Sequence, residues 1–484
     1  MGAITGKEFI DRIDQLNTDI WLQGKKVEGK KSEHPAFKGI LKSKASLYDL
    51  QVDPCFANKL TFPSPESGEP IGLSYLQPKT KEDIKMRRIM IEHWARHTHG
   101  MMGRSPDYMN STIMAFASSR NLLIGRENCF PENILALYER AKKHDLSFTH
   151  TFISPQVNRS QLLLNLSNEP ISARVVNQNS KGIFIKGARL LATQGGLTDE
   201  VLVYSAGGVL DEAEAFAFSL PSDTEGLKFI CRESFVSGDS AFDYPLSSRY
   251  EEMDTILVFN DVFVPWERVF FYNNPEAAHD FMLQNSFHHF ATHQVIIRQI
   301  VKTEFLLGIA QTIADTINIG DYQHIQEKLS EIIIGLETMK ALLEKSEADA
   351  QFDEWGTLRP SLIPLQVATN IFPKIYPRFS EIIQLMGASG MVSLPTEEDF
   401  QSDIGTALEK YMQGARINAV DRVKLFRLAW DLTMSSFGTR QTQYERYFFG
   451  DPIRLSSLLY KTYPKDEYVK EVCQFLDLKT NQLP

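Results

Sequence analysis

Cysteine is scarce in this chain: Cys55, Cys129, Cys231 and Cys473 are the only four in 484 residues, and none forms a CxxC pair. Such sparse, scattered thiols exclude a disulfide scaffold and fit a reducing compartment. Long apolar runs are also missing. No stretch approaches the roughly 18 apolar residues of a membrane span. The opening MGAITGKEFIDRIDQLN lacks the apolar core of a signal peptide. These absences predict a cytoplasmic protein with no membrane partner. Positive charge is in deficit, with 51 Lys and Arg against 61 Asp and Glu and a net charge of -10. That argues against nucleic acid, which needs a basic face. No GxGxxG follows a strand-like run and no Walker loop is present, so a βαβ nucleotide-binding fold is not expected. There is no internal repeat and no low-complexity tract.

What is present is aromatic: 31 Phe and 16 Tyr, which suit large cores or a flat ligand. The texture changes twice along the chain. Residues 1–145 read as an N-terminal domain of helix and loop. In Glu82 to His97, the residues Ile84, Met86, Ile89, Met90 and Trp94 mark one apolar helical face. Pro131 opens a further helix, which Lys142, Lys143 and His144 close. Residues 146–275 turn to short β-rich runs such as SFTHTFI, GIFIKGARLLA, EVLVYSA and TILVFNDVFV, with a hairpin loop at Gln178 to Gly182. About eight contiguous strands predict an antiparallel barrel or sandwich. Residues 276–484 are helical again. Ile325, Leu329, Ile332, Leu336, Met339 and Leu343 step by four and three, the stripe of a packed helix. With His293 to Ile317, Leu362 to Met386 (broken or kinked at Pro364, Pro373 and Pro377) and Thr406 to Thr433, a four-helix bundle follows. Long exposed helical faces make an oligomer plausible. The expected fold is thus α+β and multidomain: an N-terminal α-helical domain, a central antiparallel β-barrel domain and a C-terminal four-helix bundle.

Several segments could carry chemistry. In GRSPDY, Ser105 suits an N-cap, Pro106 the first helical position and Asp107 the positive helix end. Arg104 then precedes the helix and Tyr108 lies one turn in, so the two could converge; a well-capped helix with a surface Arg is the alternative. His150 lies in an alternating strand, followed by the polar run SPQVNRS, suited to a heterocycle edge or a pyrophosphate; a packed strand histidine is the alternative. Thr193 in LLATQGG could bond a ring, or mark a plain turn. LMGASG and SSFGTRQ follow long helices, where small residues allow close approach or simply end a helix. A basic residue beside the small residues of the second could bind phosphate. His288, His289 and His293 suggest a capping or buried role more than a metal site.

Taken together, RSPDYMN, THTFISPQVNRS, LLATQGG, FNDVFVPWERVFFY, LMGASGMVSLP and SSFGTRQTQYERYFFGDP resemble the large component of the 4-hydroxyphenylacetate 3-hydroxylase family, from the first helix to near the C-terminus. That resemblance implies an acyl-CoA dehydrogenase-like fold, a homotetramer, and reduced FAD (FADH2) supplied by a separate NAD(P)H:flavin reductase. It implies a small phenol as substrate, hydroxylated with O2 to a catechol through a flavin C4a-hydroperoxide. Catalytic and substrate-binding roles fall on Arg104, Tyr108 and His150, with Ser105, Ser205 and Ala206 also near the substrate. Flavin contacts fall on His150, Gln156, Val157, Asn158, Arg159, Thr193, Ser436, Phe437, Gly438, Thr439 and Arg440. No metal is implied. Other readings remain: a 4-hydroxybutyryl-CoA dehydratase-like lyase, whose iron–sulfur cluster the scattered Cys disfavour, an acyl-CoA dehydrogenase-like flavoenzyme, and a non-catalytic interaction protein of the same fold.

Overall fold

The computed structural model describes residues 2–155, 170–205, 209 and 211–478. The N-terminal helices form where the pattern places them. Lys81–His97 begins with a capping box in which Thr80 and Asp83 exchange bonds, and Pro131–His144 ends at Asp145 in the left-handed region. The buried face of Lys81–His97 is Ile84, Arg87, Met90, Ile91, Trp94 and Ala95, so one buried position is a cation. Arg87 Nη1 donates to the carbonyls of Leu73, Ser74 and Leu76 and Nη2 to the Ser111 hydroxyl, while Nε is buried without a partner.

The expectation of helix and loop alone before residue 146 is corrected by four strands, Asp19–Leu22, Lys25–Lys26 and the antiparallel pair Thr61–Pro63 and Pro70–Gly72. Asp19–Leu22 is only four residues long, too short for its alternation to register as a strand. It adds in parallel to Leu227–Cys231, with Ile20 opposite Phe229. The six-stranded sheet then continues through Asp254–Pro265 and Gly182–Thr193 to Arg174–Asn179. A second sheet of four strands runs Val269–Tyr272, Phe216–Pro221, Glu200–Tyr204, Phe148–Thr151. The Gln178–Gly182 hairpin is present as expected. Among the described residues the strands make two larger open sheets and two two-stranded ribbons, and no closed barrel. Nor is the pairing all antiparallel, because Phe148–Thr151 joins Glu200–Tyr204 in parallel. Val201, Val203, Phe216 and Phe218 join one core, whereas Leu202, Tyr204, Ala215 and Ala217 join the other. The period of two along each strand therefore sends alternate side chains to the sheet interior and to the helical side.

Helix Phe287–Thr316 is the central rod. Every residue from Phe290 to Thr303 is buried, because the N-terminal helices Lys81–His97 and Pro106–Ser118 pack on it as well as Gln323–Ala348 and Leu362–Gly387. The predicted stripe Ile325, Leu329, Ile332, Leu336, Met339, Leu343 is the buried face of its helix. Leu362–Gly387 runs unbroken through Pro373 and Pro377. The expected helix Thr406 to Thr433 is two: Gly405–Tyr411 and Ala419–Thr433. Asn418 starts the second by accepting the Asp421 N–H at 2.8 Å, and the intervening Ala415 N–H bonds the carbonyl of Thr316. The short helix Ser436–Tyr447 completes the packing against Leu362–Gly387.

Candidate active site

The loop between Lys81–His97 and Pro106–Ser118 carries Gly103 and Arg104. A Cβ at Gly103 would lie 2.3 Å from the Tyr444 hydroxyl, so only glycine lets that phenol approach. Arg104 Nη1 donates to Tyr444 Oη at 2.9 Å. The guanidinium carbon stands 4.3 Å from the centroid of the Tyr108 ring and 4.2 Å from that of Phe448. Aromatic faces thus replace water around the cation. Its Nε is buried without a partner. Burial opposes this charge, but Tyr444, Tyr108 and Glu252 outweigh it and raise the pKa of Arg104 above its ordinary value.

Tyr108 packs edge-on against His150 with centroids 5.6 Å apart. His150 lies in strand Phe148–Thr151, whose four residues are all buried. Its Nδ1 is 2.7 Å from the hydroxyl of Tyr204 on the neighbouring strand. Burial, and then the charge of Arg104, push the imidazole pKa well below its usual value, so it is neutral. Burial raises the pKa values of Tyr108 and Tyr204, and both phenols keep their protons. The three residues that the sequence assigned to a phenol therefore meet: the cation on Tyr108, and Tyr108 on the histidine.

Other assigned residues are placed differently. The Ser105 hydroxyl makes no capping bond; it lies 3.4 Å from Gln294 Nε2 of the central helix. Ser205 turns its hydroxyl to the carbonyl of Glu214. Thr193 donates to Asp254 at 2.8 Å. Phe437 is wholly buried, and a Cβ at Gly438 would lie 2.4 Å from the Leu432 carbonyl, so helix packing already requires that glycine. Ser436 and Thr439 line a groove of about 740 Å³ with Leu191, Ile230, Ile256 and Met434. Arg440 is not free for phosphate in this geometry, since it forms a two-pronged pair with Asp254 at 3.0 and 2.8 Å. Burial raises the Asp254 pKa, but Arg440 and Arg232 outweigh it and hold the carboxylate below its ordinary range. Gln156, Val157, Asn158, Arg159 and Ala206 lie outside the described residues. In the histidine cluster, His289 bonds the Pro360 carbonyl, His293 bonds Glu347, and His288 packs edge-on against Phe287.

Sequence reasoning missed the residues that hold Arg104. Glu252 accepts the backbone N–H of Gly103 at 2.8 Å and of Arg104 at 2.7 Å. Gln194 donates to the Arg104 carbonyl at 3.1 Å and to Glu252 at 3.0 Å. Tyr204, Tyr444 and Phe448 were also missed. Contacts across up to 340 residues of chain leave no local pattern, and Glu252 lies in the acidic run Glu251 to Asp254, where nothing singles it out.

Family models for the 4-hydroxyphenylacetate 3-hydroxylase N-terminal and C-terminal regions match residues 5–271 and 278–477. The chain belongs to the 4-hydroxyphenylacetate 3-hydroxylase family. A probable 4-hydroxyphenylacetate 3-monooxygenase of Bacillus subtilis (strain 168) is 65% identical over 99% of this chain and 100% of its own length. The 4-hydroxyphenylacetate 3-monooxygenase oxygenase component of Geobacillus sp. (strain PA-9) is 45% identical over 98% and 97%. A crystal structure of a family oxygenase component, HpaB, complexed with FAD and 4-hydroxyphenylacetate, superposes with a TM-score of 0.94 at 44% identity, covering 98% of each chain. An archaeal 4-hydroxybutyryl-CoA dehydratase from N. maritimus superposes at 0.88 with 18% identity, over 99% of this chain and 96% of that one, which is a likeness of fold alone. The family's acyl-CoA dehydrogenase-like architecture is the one expected from the sequence.

Proposed function

We propose that this chain is the oxygenase component of a two-component, reduced-flavin-dependent monooxygenase that hydroxylates a 4-hydroxyphenylacetate-like phenol ortho to its hydroxyl, giving a catechol. The observation that carries this reading is the convergence of Arg104, Tyr108 and His150 in a chain 44% identical, end to end, to an oxygenase component crystallised with FAD and that phenol.

The groove beside Ser436 and Thr439 fits a flavin. It has apolar walls in Leu191, Ile230, Ile256 and Met434, and a helix N-terminus at Ser436–Tyr447 suited to phosphate. Thr193, Ser436, Phe437, Gly438 and Thr439 would hold the cofactor, with His150 at the ring; Arg440 would join them only by giving up its pair with Asp254, and the family resemblance assigns Gln156, Val157, Asn158 and Arg159 to the same cofactor. Reduced FAD, when bound, supplies oxygen activated from O2.

The chain's own residues prepare the phenol. A free phenol has a pKa of about 10, and the Arg104 charge favours its anion, the form whose ortho carbon is nucleophilic. Tyr204 keeps its proton, and its oxygen accepts from His150 Nδ1–H, which leaves Nε2 as the unprotonated nitrogen of the neutral imidazole. A phenolate beside the ring raises the His150 pKa and lets it receive the phenol's proton. Tyr108 would orient the same oxygen, and the family resemblance assigns Ser105, Ser205 and Ala206 to the remainder of the substrate. Phe152, Tyr204 and Phe448 exclude water, which would divert the oxidant to peroxide.

The term oxygenase component in the relatives' names supports a separate partner, which we assign as an NAD(P)H:flavin reductase. No helix among the described residues is long and apolar enough to cross a membrane, in keeping with a cytoplasmic enzyme. Exposed apolar residues on the last helices, Ile453 at 78% and Phe475 at 86%, support a homotetramer. The test is to admit O2 to the protein with photoreduced FAD and a panel of phenols. Catechol from 4-hydroxyphenylacetate is expected; peroxide alone from every phenol refutes the assignment.

A further inference from the structure

Gln194 is buried at 2% exposure and held at a left-handed φ of 61°. Its side chain is bonded at both ends. Nε2 donates to the Arg104 carbonyl and to Glu252 Oε1, and Oε1 accepts from Lys44 Nζ at 3.1 Å. A carbonyl and a carboxylate only accept, and the Lys44 nitrogen can donate in either protonation state. One orientation of the amide therefore satisfies all three neighbours, and the flipped one turns its oxygen on the carbonyl and the carboxylate. Glu252, fully buried, holds the N–H groups of Gly103 and Arg104 at the same time. The residue that carries the guanidinium precedes its helix and has no ladder of its own. Its peptide N–H and C=O are instead fixed by side chains from the β region, and Lys44 on Lys38–Val52 closes the chain.

We propose that Lys44, Gln194 and Glu252 form a positioning triad that aims the Arg104 guanidinium at the substrate oxygen; this rests on the phenol-hydroxylating reading above. None of the three touches the reacting atoms. Their effect is exerted through the direction and distance of one cation, and a displacement near 1 Å is enough to cost about a hundredfold in a positioned reaction. Because Arg104 acts by favouring the phenolate, loss of aim weighs most on a weakly acidic phenol. It weighs least on a phenol already ionised at the assay pH.

The experiment compares wild type with Gln194→Met, Glu252→Gln and Lys44→Met, using reduced FAD and two substrates: 4-hydroxyphenylacetate and a ring-nitrated or polyfluorinated analogue ionised at the assay pH. Variant-to-wild-type ratios of coupled turnover are read for each phenol, which cancels the phenols' intrinsic reactivities. For Gln194→Met and Glu252→Gln a loss of about tenfold or more is expected with 4-hydroxyphenylacetate and less than about threefold with the acidic analogue. Lys44→Met, which removes no bond to Arg104 itself, keeps the test decisive where the other two fold poorly; about threefold loss on the weak acid and none on the strong one is expected. Equal losses on both phenols, or no loss on either, overturn the triad. A wild type that converts neither phenol overturns the functional reading beneath it.

Discussion

At the scale of single residues, a guanidinium stacked between two aromatic faces has lost most of its water and kept its charge, so its field reaches a bound phenol at full strength. Replacing Arg104 by Ala is expected to lower coupled turnover by about a hundredfold while O2 consumption continues as peroxide. Tyr204→Phe removes the partner of His150 Nδ1. It should lower kcat by about tenfold with little change in KM, because the imidazole loses its fixed orientation; steady-state kinetics with an unchanged kcat would contradict that role. Lys44 offers a test by stability. Burial pushes its pKa down to about 7, with Asp199 and Glu252 opposing and Arg12 assisting. The unfolded chain holds that proton to about pH 10.4. Carrying the buried charge therefore costs stability fully below about pH 7, and the cost fades as pH rises toward the unfolded value. Urea melts from about pH 6.5 to about pH 9.5 should show wild type gaining a few kcal/mol relative to Lys44→Met; parallel pH profiles would refute it. Arg104, Tyr108 and His150 were legible because each sits in a short, distinctive stretch. Glu252, Gln194 and Tyr204 were not, because their roles arise from tertiary contacts spanning 54 to 148 residues.

At the scale of elements, periodicity was legible where an element has one wet face. The Ile325 to Leu343 stripe is the buried side of its helix, and the Gln178–Gly182 turn joins the expected strands. Helix Phe287–Thr316 has no wet face over half its length, so its sequence shows no stripe. Its buried polar positions are decided by partners instead. Arg298 and Lys302 share Glu445 on Ser436–Tyr447, with bonds of 2.7 and 3.0 Å from Arg298 and 2.8 Å from Lys302. Glu445→Ala leaves two buried cations without their anion and is expected to destabilise the protein by about 3–5 kcal/mol. A chemical melt would reveal it; a change under about 1 kcal/mol would contradict this account. The break at Met412 to Asn418 was not legible, because an Asn cap and a bond to the end of another helix override a continuous helical pattern.

At the scale of the whole molecule, the order helix, sheet, helix could be seen in the texture of the chain, whereas the division into open sheets and the strand contributed from residues 19–22 could not. Strand order depends on partners distant in sequence. The residues of the candidate site come from three regions: Arg104 and Tyr108 from the first helices, His150 and Tyr204 from the sheet, Tyr444 and Phe448 from the last helices. Their convergence is thus a property of the assembled fold. The exposed apolar face of the terminal helices belongs to this scale as well. Ile453→Ser with Phe475→Ser should shift the mass measured by light scattering toward a smaller assembly, and an unchanged mass would argue for another interface. The claim on which the account turns is that Arg104 prepares the phenol rather than merely packing the fold. The most direct test is the catechol formed per O2 consumed by Arg104→Ala, set beside wild type with the same reduced FAD and 4-hydroxyphenylacetate. The account predicts that the ratio collapses while the variant still melts cooperatively and still consumes O2. A ratio equal to that of wild type would contradict it.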